Sequence, residues 1–104
     1  MKKNEPRNTV KFLRKALKDL DDSVDYVQKN VGEEDATKLA SKLFNAVDRI
    51  AENPANSGRP GRIDGTREML VSGTKYLIPF RYDDESVEIL RVFHTSRKPP
   101  NQRW

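Results

Sequence analysis

One side chain in this sequence has an unperturbed pKa near neutrality: the single histidine, His94. Around it, in sequence or across the strands argued below, stand Arg81, Arg91 and Arg97, and Arg62 and Arg67 can approach from the preceding loop and strand. A proton-transfer group among guanidiniums is part of what cleavage of RNA through its 2′-hydroxyl requires. That reaction needs a base for the hydroxyl proton, cations for the charged phosphorane and an acid for the leaving oxygen. Here the set is incomplete, because no full acid–base pair is visible. Each residue also has a structural reading. His94 can be a strand-end histidine bonded to a neighbour, Arg81 can pair with Glu88 or with the turn Asp83–Glu85, and Arg67 can pair with Glu68. Arg59 and Arg62 can be solvated loop charges. Cysteine is absent, which excludes disulfides and thiolate metal sites, and one histidine excludes a His-rich cage. No metal and no cofactor is expected.

Charge offers a second kind of chemistry, surface recognition. Residues 1–15 carry six basic and one acidic side chain, residues 16–58 five and nine, and residues 59–104 nine and six. The start and the second half are therefore basic and the middle acidic. Such a surface attracts nucleic acid or an acidic protein partner.

The elements that must position these groups are legible from periodicity. At 104 residues the chain has the size of one domain. It is read as a single domain over 1–104, with a basic arm at 1–8 and a basic tail at 95–104. Leu17, Leu20, Val24, Val27 and Val31 form one helical stripe, and Gly32 is a natural stop. A second stripe runs through Ala36, Leu39, Ala40, Leu43, Val47 and Ile50, opened by Glu33, Glu34 and Asp35 and closed by Asn53-Pro54. Helices are predicted near 15–31 and 33–53, and the short link makes them an antiparallel hairpin. After a Gly/Pro-rich loop bearing Arg59 and Arg62, the period changes to that of strands, near 66–72, 75–82 and 86–94, with a further strand near 9–13.

Strand faces follow from alternation. Tyr76, Ile78 and Phe80 beside Leu90 and Val92 make one face suited to the helices. The opposite face then shows Leu77, Val87, Ile89 and Phe93 together with Arg81 and Arg91, half apolar and half cationic, which suits a covering partner. A one-residue slip of register would exchange these sets. Pro79 has no amide donor and demands a bulge or an unpaired position. In the tail, Trp104 beside Arg97, Lys98 and Arg103 can anchor on a partner or fold back. No apolar run approaches the ~18 residues of a membrane span, and the basic N-terminus lacks the apolar stretch of a signal peptide. A cytoplasmic protein with no membrane partner is expected.

Several pieces in this order resemble the RelE/ParE family of bacterial toxins from type II toxin–antitoxin pairs. They are Ala16-Leu17-Lys18-Asp19-Leu20, Ala51-Glu52-Asn53-Pro54, Gly58-Arg59-Pro60-Gly61-Arg62, Gly65-Thr66-Arg67-Glu68, Tyr76-Leu77-Ile78-Pro79 and the run Val87–His94. The resemblance spans about Val10 to Lys98 and implies an α+β fold of order β-α-α-β-β-β. In it a helical hairpin packs on one face of a mostly antiparallel four-stranded sheet, with the first strand beside the last.

The resemblance also implies a cognate antitoxin, here expected to be acidic and partly disordered. Leu77, Arg81, Val87, Ile89, Arg91 and Phe93 are its expected contacts. ParE-like members inhibit DNA gyrase and are tied to plasmid stabilisation; for that target the candidates are Arg59, Arg62, Arg97, Lys98 and Trp104. RelE-like members cut mRNA at the ribosome, for which His94, Arg81, Arg67 and Arg97 are the candidates. Tyr76 stands where ribonuclease relatives tend to have an arginine, and Thr95 where some have a tyrosine. The ParE-like reading therefore leads, with the endoribonuclease and a non-toxic basic interaction module as alternatives.

Overall fold

Two amphipathic helices lie on one face of a mixed sheet in the computed structural model, which describes residues 8–96. The elements are β1 (Thr9–Phe12), α1 (Arg14–Asn30), α2 (Glu33–Glu52), β2 (Arg59–Pro60), β3 (Arg67–Leu70), β4 (Tyr76–Tyr82), β5 (Ser86–Ile89) and β6 (Phe93–His94). The sheet runs β1-β5-β4-β3-β2, and β6 also pairs with β4. β1 lies parallel to β5, and the other pairs are antiparallel. This is the expected α+β plan, first strand beside last, with two additions. A two-residue strand, β2, flanks β3, and the final strand is broken into β5 and β6.

The second helix follows its predicted stripe: Leu39, Leu43, Ala46, Val47 and Ile50 face the sheet residues Tyr76, Ile78, Phe80, Val87, Ile89 and Val92. The first does not quite. Its inward line is Ala16, Leu20, Ser23 and Val27, while Leu17 and Val31, expected on the stripe, are exposed. The helix is turned so that small residues, Ala16 and Ser23, take the deepest positions.

The sheet register also departs from expectation. Phe80 pairs with Ile89 and Tyr82 with Val87, so Val87 and Ile89 join Phe80 on the helix side. They are 0% exposed, and Leu77 is 3% exposed. None of the three offers apolar surface to a partner. The expected outer face of Leu77, Val87, Ile89 and Phe93 is thus corrected on two counts: β5 is shifted by one residue, and the outer face is itself covered.

The covering is a loop. Gly61 N–H donates to the Thr66 carbonyl (2.8 Å), and Thr66 Oγ1 donates to the Ile63 carbonyl (2.6 Å). Ile63 and Thr66 border a cavity of about 460 Å³ shared with Leu13, Leu90 and Arg81. Leu90, expected against the helices, is buried but stands outside the helix-facing core.

Between the pairs Phe80–Ile89 and Leu77–Phe93, β4 contributes Ile78 and Pro79 while its neighbour contributes Leu90, Arg91 and Val92. The extra residue is a β-bulge, as Pro79 required. Pro79 accepts from Leu90 N–H (2.9 Å) but has no N–H to return. The bulge reverses the alternation. Val92 enters the helix-side core, Phe93 turns outward beside Leu77, and Arg91 is diverted to α1, away from Arg81.

The β4–β5 turn is held by Asp83, whose carboxylate accepts from the N–H groups of Glu85 (2.8 Å) and Ser86 (2.9 Å). The Glu85 bond, then that of Ser86, lowers its pKa below the ordinary carboxylate value of about 3.9. Its contribution to stability is therefore present above the unfolded value and is lost as pH falls through the lowered folded one. An NMR titration should place the Asp83 midpoint below the ordinary carboxylate value, and Ser86→Ala, which keeps both amides, should leave most of the shift.

Candidate functional site

His94 ends β6 opposite Tyr76. Their rings meet edge to face, with centroids 5.1 Å apart and an interplanar angle of 86°. The Nδ1 atom accepts from Ser96 N–H (3.2 Å) and lies 2.6 Å from Ser96 Oγ. With Nδ1 accepting, the neutral ring carries its proton on Nε2. Tyr26, Val27 and Leu39 from the helices complete an open cleft of about 400 Å³ around Tyr76, His94 and Ser96. This matches the structural reading of His94, bonded to a near neighbour, while leaving the ring half-exposed.

The cations proposed for catalysis are drawn elsewhere. Arg67 projects to the helix side of β3, where Nε donates to the Ser57 carbonyl (2.9 Å) and an Nη donates to that of Gly58 (3.1 Å). It does not pair with Glu68, its neighbour, which points to the opposite face. Arg81 forms an ion pair with Glu88, its direct cross-strand partner. Arg81 lies five residues along β4 from Tyr76, about 17 Å at strand rise. Arg91 makes a two-pronged bond to Asp19 on α1, Nε at 2.7 Å and an Nη at 3.0 Å. That bond is the leading cause of its raised pKa. The structure therefore does not bring Arg67, Arg81 or Arg91 to His94. Arg97, Lys98 and Trp104 lie outside the described residues.

A different convergence forms at the loop. Glu68, 4% exposed, accepts from Arg59 Nη (3.4 Å), from Arg62 N–H (3.0 Å) and from Arg62 Nε (3.4 Å). Both guanidiniums remain largely open to solvent, and that of Arg62 sits 6.0 Å from the Phe93 ring centroid. Gly58 makes the close approach possible. Its φ is +67°, and a Cβ there would overlap the Glu68 carbonyl oxygen. One buried carboxylate thus holds two cations side by side with an aromatic ring. Sequence reasoning named Glu68 only as a possible partner of Arg67, not as a site residue. The available signal was an acidic residue opposite Pro79 in an apolar strand, within reach of two loop arginines.

Glu68→Gln should release this arrangement. The amide keeps an acceptor for Arg62 N–H but loses both charge-assisted bonds. A cost of about 1–3 kcal/mol is expected, read from urea unfolding at an unchanged m-value.

Among the described residues, no group of three or more His, Cys, Asp or Glu is placed to hold a metal, and no helix is long and apolar enough to cross a membrane. The arrangement offers instead two exposed guanidiniums beside a half-buried aromatic ring, and a separate histidine–tyrosine cleft.

Comparison with known proteins agrees with this geometry. Residues 10–99 match the family model described as the ParE toxin of the type II toxin–antitoxin system parDE. The Sinorhizobium fredii protein Y4kP, named as a toxin, is 38% identical over 94 residues, covering 90% of this chain and 95% of the relative. Among solved structures, a chain of the chromosomal ParDE toxin–antitoxin system of P. aeruginosa is similar at TM-score 0.76 and 27% identity, over 84% of this chain and 95% of that one. A chain of the RelBE2 toxin–antitoxin complex of Mycobacterium tuberculosis is similar at TM-score 0.57 and 25% identity, over 88% and 94%. The YoeB dimer of Staphylococcus aureus shares the fold at 18% identity and TM-score 0.57, over 86% and 99%. With a helical hairpin on a mixed sheet and a family match over nearly its whole length, this chain belongs to the ParE toxin family of type II toxin–antitoxin systems.

Proposed function

We propose that this toxin acts by binding DNA gyrase in the cytoplasm and stalling it on cleaved DNA, without catalysing a reaction of its own, and that an acidic antitoxin neutralises it. The observation that carries this reading is the dispersal of the candidate nuclease cations. Arg67 is engaged with main-chain carbonyls, and Arg81 and Arg91 with carboxylates, all away from His94. The greater likeness to the ParDE structure than to the RelBE2 structure supports it further. On this reading the Arg59–Arg62 pair, with Arg97, Lys98 and Trp104 from the tail, faces the target.

Induced expression with parallel readouts tests the proposal. Plasmid supercoiling should fall and cleaved-DNA complexes should accumulate, while mRNA stays intact. Intact supercoiling with fragmented mRNA would reverse it.

One observation favours the ribonuclease reading, namely that His94 stands in an open cleft with Tyr26 and Tyr76. A base and a phenolic hydroxyl near an accessible surface are parts of such a site. On that reading the remaining cations must come from the tail or from the substrate's own environment.

A further inference from the structure

Cations collect on the face of the sheet turned away from the helices. Arg81 on β4, Glu88 on β5 and Lys11 on β1 are successive cross-strand partners. Arg81 is two residues from Pro79, the partner of Glu68, so all of them share the face that carries Glu68. Lys11 and Arg81 lie two strands apart, about 10 Å. The loop adds Arg59 and Arg62 to the same side, both exposed. Three acids stand among these four cations. Glu88 pairs with Arg81, Asp64 is exposed on the loop, and Glu68 is withdrawn from the surface.

Glu68 does more than neutralise. One of its oxygens takes Arg59 and the other takes Arg62, at 3.4 Å each, so two like charges are held side by side. One carboxylate between two guanidiniums leaves the trio with an excess of one positive charge. Guanidiniums fixed in this way suit a phosphodiester, which spreads one negative charge over two oxygens and takes planar donors in pairs. Phe93 completes the match. It faces outward and half-exposed, with Arg62 6.0 Å from its ring centroid. An aromatic face beside a backbone-holding cation is a surface on which a nucleotide packs. A lone carboxylate on a protein would use the arginine pair but neither the ring nor the more distant cations. A nucleic-acid strand repeats its charge, and the row through Arg81 and Lys11 can follow it.

We infer that the Arg59–Arg62 pair grips a backbone phosphate of the DNA held in the stalled gyrase complex. Glu68 is the positioning residue, and Phe93 packs on the adjoining nucleotide. The inference rests on the gyrase reading above and names the part of the complex that this surface meets. Toxin and DNA then bind gyrase cooperatively, each raising the affinity of the other by the same factor.

Toxin binding to whole gyrase, measured with and without a duplex carrying one cleavage site, tests the contact. For the wild type the duplex should tighten binding at least about tenfold. In Arg59→Gln/Arg62→Gln the tightening should shrink below about threefold, while affinity for gyrase without DNA stays within about twofold. The slope of log affinity against log salt, for the gyrase–DNA complex, should flatten by about one. Removing both guanidiniums strands the buried Glu68 carboxylate. The triple variant that adds Glu68→Gln leaves no buried charge unpaired, and it must repeat the result. Tightening retained in the triple variant overturns the inference. An equal loss with and without DNA assigns the arginines to an acidic patch on gyrase and also overturns it. Wild-type binding to gyrase that DNA leaves unchanged overturns the phosphate contact and leaves the gyrase reading standing. No binding to gyrase in either state overturns both.

Discussion

Asp19→Ala should destabilise the protein by about 3 kcal/mol, near the lower end of what breaking a buried ion pair costs. The Asp19 carboxylate accepts both prongs of Arg91 and also the Val92 N–H (3.0 Å). Val92 is 2% exposed, so its amide would lose its acceptor at a buried position. The Arg91 guanidinium would lose its counter-ion while only about a fifth of the side chain is exposed. That residual exposure keeps the cost from the top of the range. Asp19→Asn retains an acceptor for Val92 and should cost less. Urea unfolding of Asp19→Ala, Arg91→Ala and the double variant should give a coupling of at least about 1 kcal/mol. Additive losses would show that the bulge holds itself and that Asp19 merely sits beside it.

The second large effect separates mechanisms. On the gyrase reading His94→Ala leaves toxicity and supercoiling effects within about twofold of wild type, because no proton transfer depends on the imidazole. On the nuclease reading the same substitution removes general acid–base help worth about 10²–10⁴-fold. The ring also packs edge-on against Tyr76, a contact worth about 0.5–1.5 kcal/mol, so thermal unfolding must accompany the assay. His94→Phe keeps the ring and removes the base, and it should be fully toxic on the leading reading. Ribosome-dependent RNA cleavage by the wild type, lost in both variants with supercoiling unchanged, would overturn that reading.

Much of the fold was legible because its signals were local. Two helical stripes, a Gly stop and an Asn-Pro stop placed both helices to within a residue or so. Pro79 announced a bulge through chemistry alone, the missing N–H. The sheet faces were not legible for a physical reason. Residues 76–80 are apolar without interruption, so alternation carries no face information there. β5 and the bulge offer Val87, Ile89, Leu90 and Val92 in two competing phases, and both phases are used, one on each side of the bulge. Burial of the outer face by the loop around Ile63 and Thr66 is a tertiary event with no periodic signature. The same limit applies to the site. Arginine positions were visible, but their partners were not. Arg91 meets Asp19 from the far side of the sequence, and Arg67 meets carbonyls, which every residue has.

The pairing of β1 with β5 also sets a clock. Thr9–Phe12 must wait for Ser86–Ile89, so the sheet cannot close until the chain through Ile89 has left the ribosome. At about 5–20 residues per second, the 73 residues between these two strands take about 4–15 s to make. During that interval the helical hairpin, a local structure, can form, whereas its apolar face has no sheet to rest on. Nascent chains released before residue 86 should therefore remain protease-sensitive and harmless. A partner that recognises the closed sheet would ignore them and engage each toxin molecule only once it has folded.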